Sequence, residues 1–294
     1  MLEAVRSRLR AWFTAEIPPY SYALLRIVLG VVGLVSLLGL TPIALYWPLD
    51  GLNPIPGEGL GVRSWIAQRG LGAVVGNSLF VWLLCSLSAM TIGFYSDVAV
   101  LLSFAGLVAQ SHWNGLPLSS AHQVMTVLLF CLLWADTGRV WSLDARRGWE
   151  RGAQPTPAWP LWLMRCQVAL IYLSSGLYKL AYPMWRDGTA VHWALNLNSF
   201  HRFPWPLPAQ LAPLEALMTW GTLFFELSFA ILVFFRRTRP FALLGGIALH
   251  AGLFAALELG PFSLLMVASY ACYLDPARTA TLFRFSNRES RPCK

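Results

Sequence analysis

Eight apolar segments, separated by segments that hold clusters of proline and glycine, dominate this chain of 294 residues. A helix needs about 20 apolar residues to cross the hydrocarbon of a bilayer, where no water can hydrogen-bond an open backbone. Only 12% of the residues are charged, which is about half the share in a soluble domain. The pattern therefore predicts an all-α integral membrane protein with a bundle of about eight transmembrane helices. The predicted spans are residues 20–40, 74–95, 97–112, 119–136, 161–181, 214–235, 240–257 and 261–275.

The order of the segments indicates one domain. The sequence contains no internal repeat and no long linker, so we expect a single membrane domain over residues 1–294. Residues 1–19 are predicted to be an amphipathic cytoplasmic segment, and residues 276–294 a basic cytoplasmic tail. A cleaved signal peptide is the rival interpretation of the N-terminus. Because the first apolar run contains Arg26 and no small-residue cleavage site follows it, we expect an uncleaved first span.

The basic residues set the expected orientation. If the N-terminus is cytoplasmic, 15 of the 22 lysines and arginines fall on the cytoplasmic side and five on the outer side. The five outer ones are Arg63, Arg69, Lys179, Arg186 and Arg202. Cytoplasmic loops of membrane proteins carry such an excess, so both termini are predicted to be cytoplasmic. Topology accounts for the net charge of +8, and nucleic acid is not an expected partner.

Polar side chains recur at helical spacing within four apolar segments, so each set shares one face. The sets are Tyr172, Ser175, Gly176 and Lys179; Glu215, Thr219, Thr222 and Glu226; Ser119, His122 and Thr126; and Gly246 and His250. Ionisable groups in hydrocarbon are costly unless they face a cavity or a partner. With the predicted topology, these faces can line one cavity that opens toward the outer leaflet.

Lys179 is the most informative of these residues, because Lys294 is the chain's only other lysine. Desolvation disfavours the ammonium form, whereas arginine stays protonated. A neutral lysine is a base, and among apolar walls it suits a lipophilic acid such as a phenol or hydroquinone. Alternatively, Lys179 extends to the membrane interface beside Tyr182 and Trp185.

The other buried polar residues have structural alternatives as well. His122 can simply begin a helix near water, and His250 can make a structural hydrogen bond. Glu226 can form a salt bridge or be a protonated carboxyl. For Arg26 and Arg165 we expect pairing with acids near the inner side, namely Asp97, Asp136 or Asp144.

The spacing of cysteines and histidines favours neither a disulfide nor a metal site. Four of the five cysteines lie in apolar segments, and no CxxC pair occurs, so buried free thiols are expected. The histidines show no ligand spacing such as HExxH. They include His122, His192, His201 and His250.

Four motifs, in this order and spacing, are similar to those of a known membrane family. They are VWSLDARR (140–147), GLYKLAYPMW (176–185), WRDGTA (185–190) and LHAGLFAALELGPFSLLMVASY (249–270). The chain resembles the horizontally transferred transmembrane (HTTM) domain, which is the membrane part of vitamin K-dependent gamma-carboxylase. The resemblance extends from ALLRIVLG (23–30) to the last span.

The resemblance implies an active site on the extracytoplasmic side, here of a bacterial cytoplasmic membrane. Carboxylase members oxidise vitamin K hydroquinone with O2 to the epoxide, and the strong base so formed removes a γ-proton from a peptide glutamate, to which CO2 adds. Lys179 occupies the position of the base in the GxxKL motif, and His122 and His250 correspond to family histidines. Tyr172, Ser175, Glu226 and Trp185 are the expected substrate-binding residues. The expected cofactor is vitamin K hydroquinone or another quinol, with O2 and CO2 as co-substrates if the chain is carboxylase-like.

One departure from the carboxylases keeps the function open. They carry a large extra-membrane domain for the substrate propeptide, and we expect none after residue 275, so glutamate carboxylation is doubtful. Three hypotheses remain: a quinol-dependent oxidoreductase or carboxylase-like enzyme, a non-enzymatic membrane component that binds lipid or quinone or assists a partner enzyme, and a transporter. The transporter is weakened because no inverted repeat is visible. The expected partners are the lipid bilayer, a lipophilic quinol, and a peptide substrate or partner membrane protein.

Overall fold

The computed structural model describes residues 11, 13–41, 43–49, 61–114, 120–149, 152–197, 202 and 208–282. Its helices are α1 (Tyr20–Leu38), α2 (Ile43–Tyr46), α3 (Val62–Gln68), α4 (Gly72–Ile92), α5 (Ser96–Trp113), α6 (Ser120–Leu132), α7 (Leu143–Arg146), α8 (Trp159–Leu180), α9 (Pro183–Arg186), α10 (Ala190–Asn196), α11 (Ala212–Leu232), α12 (Arg239–Ala256), α13 (Phe262–Ser269) and α14 (Pro276–Leu282). Single 3₁₀ turns cover Ala209–Leu211 and Tyr270–Tyr273. Two short strands, β1 (Glu16–Ile17) and β2 (Thr156–Pro157), pair antiparallel.

The predicted all-α membrane class is confirmed. Each of the eight predicted apolar segments coincides with a helix: α1, α4, α5, α6, α8, α11, α12 and α13 with its 3₁₀ turn. Within the described parts of the chain, four helices are long and apolar enough to cross a membrane, namely α1, α4, α11 and α12. Helix α6 and the stretch Phe262–Tyr273 are shorter apolar helices. The number of eight spans and the cytoplasmic termini remain predictions. Most of the N-terminal segment, Ser119, His201 and the tail after residue 282 lie outside the described residues.

Helix α11 shows the side-chain distribution of a membrane helix. Its buried face carries Glu215, Thr219 and Glu226, whereas Leu217 and Phe224 are exposed. A water-soluble helix would turn its apolar side chains inward. Helix α12 repeats the pattern, since its buried residues are Ala242, Gly246 and His250, while its exposed ones include Phe241, Leu244 and Ile247. Apolar side chains on the outside and polar ones on the inside are what hydrocarbon solvent favours.

The chain divides into two compact units. The first consists of residues Met1–Leu163 and Leu274–Lys294, and the second of residues Met164–Tyr273. The boundary falls inside α8. The prediction of one domain remains a prediction, and the two units are described separately below.

In the first unit, the buried Arg26 of α1 binds backbone carbonyls. Its Nη1 donates to the carbonyl oxygens of Met90 (2.5 Å) and Thr91 (3.0 Å), in the last turn of α4. Its Nε donates to Thr137 O (3.1 Å) and its Nη2 to Trp141 O (2.7 Å). The last carbonyls of a helix have no partner within the helix, and the helix dipole favours a cation there. The expected pairing of Arg26 with a carboxylate was therefore wrong, because the end of α4 supplies the acceptors.

The carboxylates near Arg26 bind other groups. Asp144 accepts hydrogen bonds from the backbone N–H groups of Tyr95 (2.8 Å) and Ser96 (2.7 Å) and from the Ser96 hydroxyl (2.7 Å). It thereby caps the N-terminus of α5. Asp97 accepts from the hydroxyl of Thr137 at 3.0 Å, and Asp136 pairs with Arg139, three residues later. Each carboxylate serves a turn or a helix end.

The second unit contains α8 from Met164 onward and helices α9 to α13. Helix α8 approaches α11 closely at Gly176, where a Cβ atom would lie 2.8 Å from the Leu227 side chain. Helix α12 approaches the segment after α13 at Gly246, where a Cβ atom would overlap the Tyr270 hydroxyl. These two small residues let the polar faces of α8, α11 and α12 and the hydroxyl of Tyr270 come together in one unit.

Candidate functional site

A buried ion pair joins α8 to α11. Lys179, in the last turn of α8, donates from Nζ to Oε1 of Glu226, near the middle of α11. The Lys179 side chain is 20% exposed and that of Glu226 is 8% exposed. The Trp185 ring covers the ammonium, with its centroid 4.7 Å from Nζ. The structure therefore brings together three predicted site residues.

A second polar chain joins α8, α12 and the segment after α13. The Tyr172 hydroxyl lies 2.7 Å from Nε2 of His250, and it also hydrogen-bonds the Tyr270 hydroxyl. Every hydroxyl proton finds an acceptor only if Tyr270 donates to Tyr172 and Tyr172 donates to Nε2. That assignment leaves the His250 ring protonated at Nδ1, so the hydrogen-bonded series Tyr270–Tyr172–His250 ends in an N–H donor.

The two polar groups lie close enough to interact. Tyr172 and Lys179 lie seven residues apart on one face of α8. A change in the charge of one group therefore acts on the other, because charges in an interior of low dielectric constant are weakly screened. We treat the two groups as one candidate site.

Aromatic side chains surround the histidine–tyrosine chain. The Tyr172 ring lies 4.1 Å from that of Phe229, centroid to centroid, and meets the ring of Phe225 edge-on at 6.0 Å. The ring of Phe262 lies 5.7 Å from that of His250. Such aromatic walls exclude water from the histidine and tyrosine side chains.

Several polar atoms of this unit are buried without a hydrogen-bond partner among the residues that the structure describes. They are Glu215 Oε1, Glu226 Oε2, His250 Nδ1 and Ser263 Oγ. An unsatisfied buried polar atom typically costs about 1–3 kcal/mol, so structures rarely keep one without a reason. The acceptor on Glu226 and the donor on His250 are the groups available to a polar ligand. The lysine is paired with Glu226, one of the arrangements that the sequence left open for this carboxyl, and the neutral amine remains a prediction.

The remaining predicted residues have separate positions. Ser175 lies half-buried on α8, one turn before Lys179. His122 belongs to the first unit, where its Nε2 lies 2.9 Å from both Ser111 Oγ and the carbonyl oxygen of Leu107 and so ties α6 to α5. The roles predicted for these two residues, like those of the other site residues, remain predictions.

The sequence interpretation missed two parts of the site. Tyr270 was counted only as part of an apolar span, although Gly246, one turn before His250 on α12, offered a signal that a neighbour packs closely there. His192 was noted only as a scattered histidine. In the structure its Nδ1 lies 2.9 Å from Oε2 of Glu215 in the first turn of α11.

Comparison with known proteins agrees with this architecture. The uncharacterized protein YitO of Bacillus subtilis (strain 168) is 25% identical over 300 residues, which cover 98% of this chain and 96% of YitO. The sporulation-delaying protein SdpB of the same organism is 25% identical over 192 residues, covering 60% of this chain and 58% of SdpB. No solved structure matches the chain. The profile of the HTTM domain matches residues 76–277, which is more than half of the sequence and includes the site of the second unit, so the chain is a membrane protein of the HTTM domain family.

Proposed function

We propose that this protein is a quinol-dependent membrane oxidoreductase, related in chemistry to the vitamin K-dependent carboxylases. The observation that carries the proposal is the buried Lys179–Glu226 pair beside the His250–Tyr172–Tyr270 chain. Both lie inside helices whose outer faces are apolar. Ionisable groups in such a place are functional candidates by default.

The residues fit a quinol. A hydroquinone is a reductant that carries two weakly acidic hydroxyl groups on an aromatic ring. Among the described residues, Oε2 of Glu226 and Nδ1 of His250 have no hydrogen-bond partner, and we propose that they accept from one quinol hydroxyl and donate to the other oxygen. Phe225, whose ring meets that of Tyr172 edge-on, is proposed to form the binding surface together with Ser175 and Trp185.

Proton transfer is the proposed task of the lysine–glutamate pair. The pair can hold one proton in two ways, as ammonium with carboxylate or as amine with carboxylic acid. In the second form Lys179 is a neutral base, with Glu226 storing the proton that the amine has released. His250 holds the developing negative oxygen through Nδ1–H, while Tyr172 fixes the ring through Nε2. O2 is the proposed oxidant, and CO2 is a co-substrate in a carboxylase-like reaction.

The proposed site faces the extracytoplasmic side, as the predicted topology places it. Lys179 lies in the last turn of α8 and Glu215 in the first turn of α11, and the predicted orientation turns the end of α8 and the start of α11 outward. A peptide or a partner membrane protein would reach the site from that side. This orientation can be tested separately, by tagging the two termini and measuring their access to protease in sealed vesicles.

The test uses purified protein in lipid nanodiscs, supplied with reduced vitamin K and O2. We expect formation of the epoxide or the quinone, lost in Lys179→Ala and strongly reduced in Glu226→Gln. The control is Glu258→Gln, which removes an exposed carboxylate of the same unit and should keep full activity. A Lys179→Arg variant with full activity would refute the role of Lys179 as a base, since arginine stays protonated.

A second candidate function is a non-enzymatic membrane component that binds lipid or quinone. The pairing of Lys179 with Glu226 favours it, because a lysine in an ion pair can be purely structural. In that case the double variant Lys179→Met/Glu226→Leu should still bind a quinone analogue with native affinity. A loss of binding in the double variant would reject this alternative.

A further inference from the structure

A second carboxylate lies on the buried face of α11, nearer to the surface. Glu215 stands in the first turn of the helix, and its side chain is 7% exposed. Its Oε2 contacts Nδ1 of His192 at 2.9 Å, and the His192 side chain is 48% exposed. A titratable ring in contact with solvent is thus hydrogen-bonded directly to a buried carboxylate.

This pair and the Lys179–Glu226 pair share one helix face. Glu215, Thr219 and Glu226 are all buried residues of α11, and Thr222 lies between them at helical spacing. Eleven residues separate the two glutamates, which corresponds to about 16 Å along the helix axis. The face is therefore a polar stripe that leads from a half-exposed histidine to the buried lysine.

Both glutamates have one buried oxygen without a partner among the described residues, Oε1 in Glu215 and Oε2 in Glu226. Each is an acceptor that a proton, a hydroxyl or a water molecule can occupy. Thr219 does not fill this role, because its hydroxyl donates to the carbonyl oxygen of Glu215 (2.9 Å) and accepts from the N–H of Val191 (3.1 Å). Thr219 instead fixes α10 to α11 and so holds His192 against Glu215.

We propose that His192 and Glu215 form a proton-exchange path between the aqueous surface and the Lys179–Glu226 pair. This inference rests on the proposed function, which requires the pair to release the proton that it takes from its substrate. The proton passes along α11 by way of water and the Thr222 hydroxyl to Glu215, and from Oε2 of Glu215 to Nδ1 of His192. The ring then releases its other proton, from Nε2, to bulk water. No electron moves, and the pair returns to its starting charge.

The other charged groups near the outer end of α11 do not compete with His192 for the exchange of protons with water. Arg186 and Asp187 follow α8 and are exposed, and Asp187 accepts hydrogen bonds from the backbone N–H (3.0 Å) and the hydroxyl (2.7 Å) of Thr189. On the inner side of the stripe, the facing groups are Lys179 from α8 and His250 from α12. His192 is thus the exposed titratable group that a described hydrogen bond connects to the stripe.

The chain's composition permits a direct test. Only Lys179 and Lys294 are lysines, so labelling with 15N at the lysine Nζ gives two signals, and Lys294 serves as the internal reference. In protein reconstituted in nanodiscs, the exchange of the Lys179 Nζ protons with water is measured by NMR. We expect exchange at Lys179 to slow at least tenfold in Glu215→Gln and several-fold in His192→Gln. Lys294 should not change, and neither should Lys179 in the control Glu258→Gln.

Unchanged exchange at Lys179 in His192→Gln and Glu215→Gln would overturn the proposal. Protons would then reach the amine directly from water at the exposed part of the Lys179 side chain, which is 20% of its surface. If Glu215→Gln does not fold, His192→Gln alone tests the proton path. This variant should fold, because it alters a half-exposed side chain. The readout needs no substrate. If exchange slows in the variants but the native protein does not oxidise quinol, the proposed function is rejected and the proton path is kept. If the native protein oxidises quinol but exchange does not slow in the variants, only the proton path is rejected.

Discussion

The Lys179–Glu226 pair predicts a strong coupling between two substitutions. Lys179→Met leaves a buried carboxylate without its cation, and Glu226→Leu leaves an ammonium without its anion. Breaking a buried pair in this way costs about 3–5 kcal/mol. Because a fifth of the Lys179 side chain is exposed, we expect about 2–3 kcal/mol for each single variant. The double variant replaces both charges by apolar groups and should regain about 2 kcal/mol of the summed loss, as contacting residues do.

Unfolding in mixed micelles measures this coupling, followed by the fluorescence of the 14 tryptophans. For a chain of this size, 1 kcal/mol corresponds to a shift of about 2 °C in the midpoint, so each single variant should unfold about 4–6 °C earlier. The exposed control Glu258→Gln should stay within about 0.5 kcal/mol of the native protein. A double variant that loses the full sum of the two single losses would show that the side chains do not interact, and the candidate site would lose its central element.

Three further predictions use the same unfolding measurement. Arg26→Met removes four hydrogen bonds from a buried cation to carbonyl oxygens and should lower the free energy of unfolding by at least about 4 kcal/mol. An Arg26→Lys variant as stable as the native protein would contradict the reasoning, since one ammonium cannot span these acceptors. Gly246→Ala should cost about 1–3 kcal/mol, because the new methyl group overlaps the Tyr270 hydroxyl. The matched control Gly252→Ala, in the same helix and with open space around it, should be neutral or slightly stabilising. Equal effects at both glycines would refute the close packing at Gly246. Tyr172→Phe deprives two buried groups of a partner and should cost about 2 kcal/mol; an unchanged midpoint would show that the chain of hydroxyls is not formed.

The helices could be predicted from the sequence because hydrocarbon imposes a length and an apolar composition that are visible in one dimension. The stripe on α11 could be predicted for the same reason: the spacing of Glu215, Thr219 and Glu226 places them on one face whatever surrounds the helix. Partners could not be predicted, because they depend on which helices pack together. The approach of α8 to α11, and hence the pairing of Lys179 with Glu226, depends on the close contact at Gly176.

The motif VWSLDARR illustrates a second limit of sequence interpretation. The motif contributed to the family resemblance, which suggested a link to function. In the structure, Ser142 caps the short helix α7 by accepting from the N–H of Ala145 at 2.9 Å, while Asp144 caps α5. Trp141 adopts a positive φ of 52°, which is unfavourable for a bulky residue, and Arg26 binds its carbonyl oxygen. The motif therefore serves the fold of the first unit.

Arg26 and Lys179 differ in how completely the described residues satisfy them, and that difference supports the proposal that Arg26 is structural and Lys179 functional. Arg26 donates to four carbonyl oxygens, so its burial is compensated by contacts that hold the last turn of α4 and the loop residues Thr137 and Trp141 in place. Among the described residues, Lys179 contacts one carboxylate oxygen and an aromatic face, and the second oxygen of Glu226 has no partner. A fold that needed only stability could replace such a pair by apolar side chains at little cost. An incompletely bonded pair beside an incompletely bonded histidine is instead what a site requires when its remaining partner is a ligand.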